Sequence, residues 1–288
     1  RLKLNDNCSK IDSPSSKECD LLKDNSLEKF STIKYDMIFH LAAWTQAGDF
    51  CLKYPGDQWI NNQRINTNVV DWWKKYQPEA KFVFMGSSCV YDPTSVLREE
   101  DFMSGDPIES LYTYAMTKRM LQIGAESIKR QYDLDYLCVV PSTLYGNNYH
   151  DDGRQTHFIF DLVRKIFNAS KGGETPILWG DGSQKREIIH VDDFIDALLV
   201  IMETASNEII NIGSGKPTQL KNYIQLIENN IGKKAKKLFM KKQKGDAKDT
   251  WADIQLSRKI LKFRPQISPK DGVKRFIDWY KDFYKKKR

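Results

Sequence analysis

No stretch of this chain approaches the 18 or more consecutive apolar residues of a membrane-spanning helix, and no charged start followed by an apolar run marks a secretion signal. A cytosolic protein with no membrane partner is therefore expected. The five cysteines, at positions 8, 19, 51, 89 and 138, form no Cys-x-x-Cys pair, and an odd number cannot complete a disulfide framework. Reduced thiols follow. Histidine is scarce as well, and neither His40 nor His190 has the neighbours a metal site needs, so no metal is expected. Internal repeats and low-complexity linkers are also missing.

What remains is ordinary for a globular chain. Its 288 residues are 40% hydrophobic and 29% charged, enough for a large core in one or two closely packed domains. The net charge of +7 is concentrated in residues 233–244 and 285–288. Without a recognition motif beside them, those runs read as solvated surface, and nucleic acid is not an expected partner. A modestly basic protein also suits an anionic small molecule.

Strands alternate with helices through the first two thirds, the pattern of a parallel sheet covered on both faces. Strands are predicted over residues 35–39, 81–85, 136–140 and 209–212, the third stopped by Pro141. Helices are predicted over 58–76, 112–131, 158–167, 192–204 and 218–230. The final helix starts at Ser268-Pro269, a cap with proline at the first helical position, and buries Val273, Phe276, Ile277 and Tyr280.

One pairing carries chemistry. Tyr114 and Lys118 are four apart, hence on one helix face, where an ammonium would favour the phenolate and lower its pKa from about 10 towards the operating pH. Before them, a buried strand ends in Gly86-Ser87-Ser88, small polar residues opening onto the crevice where doubly wound sheets bind ligands. Ser87 is placed to meet the substrate oxygen that Tyr114 protonates or deprotonates.

With these motifs the chain resembles the extended short-chain dehydrogenase/reductase family, the NAD-dependent nucleotide-sugar epimerases, dehydratases and reductases. The resemblance runs from about Asp20 to the C-terminus and includes His40-Leu41-Ala42-Ala43, the helix from Asn62 through Asn68-Val69, and Pro141-Ser142-Thr143-Leu144-Tyr145-Gly146. Arg186 to Asp193 and Asn211-Ile212-Gly213-Ser214-Gly215 continue it. It implies an α/β fold, a doubly wound parallel (Rossmann) sheet over residues 1–146 with a smaller C-terminal α/β substrate lobe mainly in 147–288. It implies NADP or NAD as cofactor, a nucleotide-diphosphate sugar as substrate, and a homodimer joined through the two long helices. Asp20, Leu21, Ala42, Ala43, Lys118 and Pro141 would contact the cofactor, and Ser88, Asn147, Arg186 and Lys244 the substrate. Asn62 resembles a supporting helix residue, or is a helix-surface amide. His40 and His190 are expected to support the fold.

Gly86-Ser87-Ser88-Cys89-Val90-Tyr91 looks most like the GDP-fucose synthase branch, where the equivalent cysteine moves protons at the carbons beside a ketone. His157 resembles that branch's histidine acid, and an imidazole near pKa ~6.5 suits the task. The implied catalytic set is Ser87, Tyr114, Lys118, Cys89 and His157. Other features point elsewhere. Trp44-Thr45-Gln46-Ala47-Gly48 replaces a glycine-rich segment of that branch, and Lys244-Gly245-Asp246 with Thr250-Trp251-Ala252-Asp253 looks more like sugar 4-epimerases. A dehydratase would carry an acid pair after the serine, where Ser88-Cys89 stands. The family's first strand and glycine-rich loop, which hold the pyrophosphate, are not found, and roughly 30 to 40 preceding residues would supply them. A non-catalytic homologue that binds a nucleotide-sugar or a partner is the alternative.

Overall fold

The computed structural model describes residues 8–93, 96–149, 154, 156–241, 249–262 and 264–286. Its strands are β1 (Met37–His40), β2 (Lys81–Met85), β3 (Val96–Leu97), β4 (Tyr136–Pro141), β5 (Thr143–Tyr145), β6 (Ile177–Trp179), β7 (Lys185–Arg186), β8 (Ile188–His190), β9 (Ile209–Ile212), β10 (Thr218–Gln219), β11 (Leu238–Met240) and β12 (Asp249–Ala252). Its helices are α1 (Phe50–Lys53), α2 (Pro55–Tyr76), α3 (Tyr112–Tyr132), α4 (Phe158–Ser170), α5 (Val191–Thr204), α6 (Leu220–Ile231), α7 (Gln255–Leu261) and α8 (Pro269–Lys286).

The side-chain alternation of a strand decides which layer each residue joins. In β2, Phe82 and Phe84 face one way and pack with Tyr136, Cys138 and Val140 of β4, Trp73 of α2, and Leu121 and Ala125 of α3. Val83 faces the other way with Leu137, Val139, Ile210 and Ile212, against Phe194, Ala197 and Ile201 of α5. Both faces of the sheet are thus covered, as all-parallel sheets require. The order is β1-β2-β4-β9, every pair parallel, with Phe84 opposite Cys138 and Cys138 opposite Ile209. Among the described residues β1 is an edge strand.

After β5 the chain builds a second, smaller core of Ile159, Phe160, Val163, Ile166, Tyr223, Ile227, Phe276 and Tyr280, contributed by α4, α6 and α8. Segment 147–288 is not confined to that lobe, because α5 and β9 return to the parallel sheet. Short strands join the two parts: β12 pairs with both β3 and β7. Ser268 caps α8 by accepting from the Asp271 amide at 3.1 Å while donating to its carboxylate at 2.6 Å. Several boundaries shift from the sequence expectation, among them the start of α2, at Pro55, and the end of α4, at Ser170. The first strand begins at Met37, and Thr218-Gln219 are β10, paired antiparallel to β7, so α6 starts at Leu220.

Candidate active site

The carboxyl end of β2 meets the first turns of α3. Gly86 is required there, since a Cβ would lie 2.8 Å from Val140 Cγ2 and 3.1 Å from Cys138 Sγ. Ser87, in extended conformation, caps the short turn Ser88–Val90, and its Oγ accepts from the Cys89 amide at 3.2 Å. That places Ser87 and Cys89 against Tyr114, which rises from α3.

Electrostatics tie these groups together. Burial pushes the Tyr114 phenol well above its ordinary range, with Cys89 adding to the rise and hydrogen bonding to Ser87 working against it. Burial likewise raises the Cys89 thiol, again opposed by Ser87. Lys118 is itself desolvated, its pKa pulled down to about 8. Its Nζ sits 5.8 Å from the Tyr114 ring centroid and donates to the Met85 carbonyl at 2.9 Å. The expected lowering of the phenol by Lys118 therefore does not hold in this state. The cation is held over the ring and at the strand end, and the cost of burying a phenolate dominates.

The sequence reading missed Cys51. This thiol, on α1, is buried, accepts from Gln58 Nε2 at 3.3 Å, and acts electrostatically on both Cys89 and Tyr114. A single thiol on a four-residue helix shows no sequence pattern that could have marked it. Asn62 is no surface amide. It is 3% exposed, and its side chain accepts from the Trp44 amide at 2.9 Å and donates to the Gln58 carbonyl at 2.7 Å, fixing the loop that follows β1. His40 bonds Asn66 at 2.9 Å and stacks on Phe82, and His190 accepts from the Asp192 amide at the start of α5. Both support the fold.

Residues for a nicotinamide cofactor are in suitable places. Leu41, 63% exposed, and the exposed Ala42 end β1, with Ala43 half-buried behind them. They follow the carboxyl end of β1, and Pro141 ends β4, two strands away in the same sheet. Asn68 holds the Leu21 carbonyl at 2.9 Å, and Asp20 accepts from the Leu22 amide, ordering the segment assigned to the adenine end. These observations fit the nicotinamide and adenosine portions. No Gly-x-x-Gly-x-x-Gly turn accompanies them.

Beyond Ser87 lies a cavity lined by Ser88, Tyr91, Pro141, Ser142, Glu187 and Thr250, between the sheet and the C-terminal lobe. Glu187 is 3% exposed and accepts from the amides of Gly215 and Ala252, fixing the lobe wall. Arg186, half-buried on β7, and the exposed Asn147, just past β5, belong to the lobe side. His157 is exposed before α4, its amide donating to Tyr149 Oη at 3.1 Å. Ser87, Cys89, Tyr114 and Lys118 form one cluster, while His157, Asn147 and Arg186 stand on other segments. Lys244 lies outside the described residues. Among the described residues no group of three or more His, Cys, Asp or Glu could hold a metal ion, and no helix is long and apolar enough to cross a membrane.

A phenol and a hydroxyl side by side, with a thiol next to them, can move protons at an oxygen and at an adjacent carbon of a bound molecule. Known proteins carry the same frame. The family model described as "NAD dependent epimerase/dehydratase family" matches residues 1–213. A UDP-glucuronate 4-epimerase of Thermodesulfobacterium geofontis is 32% identical over 256 residues, 88% of this chain and 75% of that protein. A probable GDP-L-fucose synthase 1 of Oryza sativa subsp. japonica is 29% identical, covering 91% of this chain and 81% of its own length. A solved GDP-6-OMe-4-keto-L-xylo-heptose reductase from C. jejuni superposes with TM-score 0.85 at 23% identity, over 94% of this chain and 89% of that one.

Proposed function

Because the chain belongs to the NAD-dependent epimerase/dehydratase family, we propose that it is a nucleotide-sugar 3,5-epimerase/4-reductase, acting on GDP-4-keto-6-deoxy-mannose with NADPH. The observation that carries the reading is Cys89, hydrogen-bonded to Ser87 and acting electrostatically on the Tyr114 phenol. A carbon acid beside a ketone needs a base within reach of the same carbonyl that the reduction uses, and this cluster offers both. The likeness to a probable GDP-L-fucose synthase adds support.

In this reading Tyr114 gives its proton to the sugar O4, and Ser87 hydrogen-bonds that oxygen. Lys118 would hold the nicotinamide ribose. Cys89, once its thiol has given up its proton, would remove one at C3 and at C5, and His157 would return one from the opposite face, because inversion requires an acid opposite the base. The bound nicotinamide supplies the hydride for the reduction. Arg186 grips the diphosphate with its guanidinium fork, Lys244 adds a point charge there, and Ser88 and Asn147 contact the sugar. Two copies pair through α2 and α3.

A second reading, a nucleotide-sugar 4-epimerase with tightly held NAD, draws on the UDP-glucuronate 4-epimerase relative. One experiment separates them. The full chain, incubated in deuterium oxide with GDP-4-keto-6-deoxy-mannose and NADPH, is expected to oxidise NADPH and to place deuterium at C3 and C5. Cys89→Ser should lower that incorporation by roughly 10²- to 10⁴-fold and spare the reduction of an already epimerised sugar. Incorporation unchanged by the substitution sinks the assignment of Cys89. Interconversion of UDP-glucuronate at C4 without added NADPH would establish the second reading, and turnover of neither sugar the non-catalytic one.

A further inference from the structure

Lys118 and the next residue, Arg119, grip the two ends of one short segment. Lys118 Nζ donates to the carbonyl of Met85, where β2 ends. Arg119 is 5% exposed, and its Nη2 donates at 2.6 Å to the carbonyl of Val90, the residue after Cys89. The same guanidinium donates to the Ser104 carbonyl at 2.6 Å and the Gly105 carbonyl at 2.9 Å. Between the two grips lie Ser87 and Cys89. The loop below is tight as well: Gly105 has φ +61°, and a Cβ there would come within 2.9 Å of the Asp92 side chain.

Burying a guanidinium is costly, and here its hydrogen bonds go to neutral carbonyls, its Nε is left without a partner, and the Asp106 and Asp92 carboxylates favour the charge only through space. A neutral side chain could fill the same volume without that penalty. What only a planar, multi-donor cation provides is three carbonyls held at fixed angles from one helix position. We propose that Arg119 is a positioning residue, which sets the Ser87–Cys89 turn against Tyr114 by locking the Val90 end to the helix that carries the phenol. This rests on the reading of Ser87, Cys89 and Tyr114 as the reacting cluster. Arg119 touches none of the reacting atoms. It acts through the turn.

The test uses Arg119→Met and Arg119→Lys, each alone and combined with Ser87→Ala, in the full chain. Arg119→Met should lower kcat for NADPH oxidation with GDP-4-keto-6-deoxy-mannose by roughly 10- to 100-fold, as an ångström-scale misplacement does, with KM changed less than about twofold. In the Ser87→Ala background the same substitution should cost less than about threefold, because what it positions is already gone. Arg119→Lys should recover part of the loss, and it keeps the experiment decisive where the methionine variant does not fold. Hydrogen exchange on the unliganded protein should show protection lost in residues 86–105 and kept in α2 and β9. Equal losses in both backgrounds, unchanged exchange, or protection lost throughout the chain would each overturn the proposal. If the wild-type chain does not turn over this sugar, the functional reading fails by itself, and local exchange together with the alkylation rate of Cys89 by iodoacetamide still decides the placement of Arg119.

Discussion

At the residue scale the site is a set of buried groups whose desolvation outweighs their mutual help. The hydroxyls were legible in the sequence, since a parallel strand that ends in small polar residues opens onto the crevice at its carboxyl edge, and Tyr114, 27 positions after Ser87, stands on the helix that follows. The energetics were not legible, because burial is a tertiary property. Spacing placed Lys118 on the face of Tyr114, but could not say that its ammonium would lie over the ring and bond Met85. Two predictions follow from those positions. Tyr114→Phe should reduce kcat by roughly 10²- to 10⁴-fold while NADPH binding, read by cofactor fluorescence, is unchanged; a retained kcat would remove the phenol from the chemistry. Lys118 is a stability liability. Its folded pKa of about 8 lies below the ordinary 10.5, so between those values the unfolded chain holds a proton that the folded chain has released. Stability at this position therefore rises with pH across that window, and the penalty is fully in force below pH 8. The gap corresponds to roughly 3 kcal/mol, of which the lost Met85 hydrogen bond returns about 1. Lys118→Met should accordingly stabilise the unliganded protein at pH 7 and flatten its urea midpoint between pH 8 and 10.5. A fall in the pH 7 midpoint would contradict this.

At the scale of elements, those with a continuous apolar pattern were legible, although α2 starts three residues before its expected bound. β2 and β9 have the bounds read from their apolar runs, and α3 and α5 differ by one residue at one end. Strands of two or three residues, such as β3, β7 and β10, carry no periodicity and were invisible, although they form the seam between sheet and lobe. α1 escaped notice for the same reason, and Cys51 with it. Propensity misleads at one helical position. Gly272 sits inside α8, where alanine would gain about 1 kcal/mol on helix preference alone. A Cβ there would overlap the Tyr145 hydroxyl and fall 2.8 Å from its Cζ. That ring is 3% exposed and held edge-on by His190 and Phe276, so it cannot swing aside. Gly272→Ala is expected to destabilise the protein by roughly 1–3 kcal/mol in urea denaturation, an overpacking cost. Removing the hydroxyl with Tyr145→Phe should recover part of it, and a stabilising Gly272→Ala would show that the lobe core yields more easily than its packing indicates.

For the whole molecule, the remaining question is what covers its exposed apolar surface. α2 and α3 pack side by side over the sheet and turn Trp59, Ile60, Met120 and Ile123 outward, each 41–51% exposed. A second apolar area, with Trp179, Phe239 and Met240 on β6 and β11, is exposed to a similar degree. The helix face is the better candidate for a two-fold interface. Its residues repeat on two long, nearly regular elements, so that the same patch on a second copy can meet it in an isologous four-helix arrangement. Gly124, where a Cβ would meet nothing within 4 Å, leaves room for close approach. The inner faces of these helices carry Asn62 and Asn66 from α2 and Tyr114 and Lys118 from α3, so pairing there would stiffen the elements that hold the proposed catalytic cluster. The prediction is a dimer in solution by sedimentation equilibrium. Trp59→Glu combined with Ile123→Glu should convert it to a monomer, since charges buried in such an interface are strongly disfavoured. Trp179→Glu should leave the dimer intact. A monomeric wild type would refute the interface outright, and a dimer broken by Trp179→Glu alone would move it to the β6–β11 face and uncouple assembly from the helices of the active site.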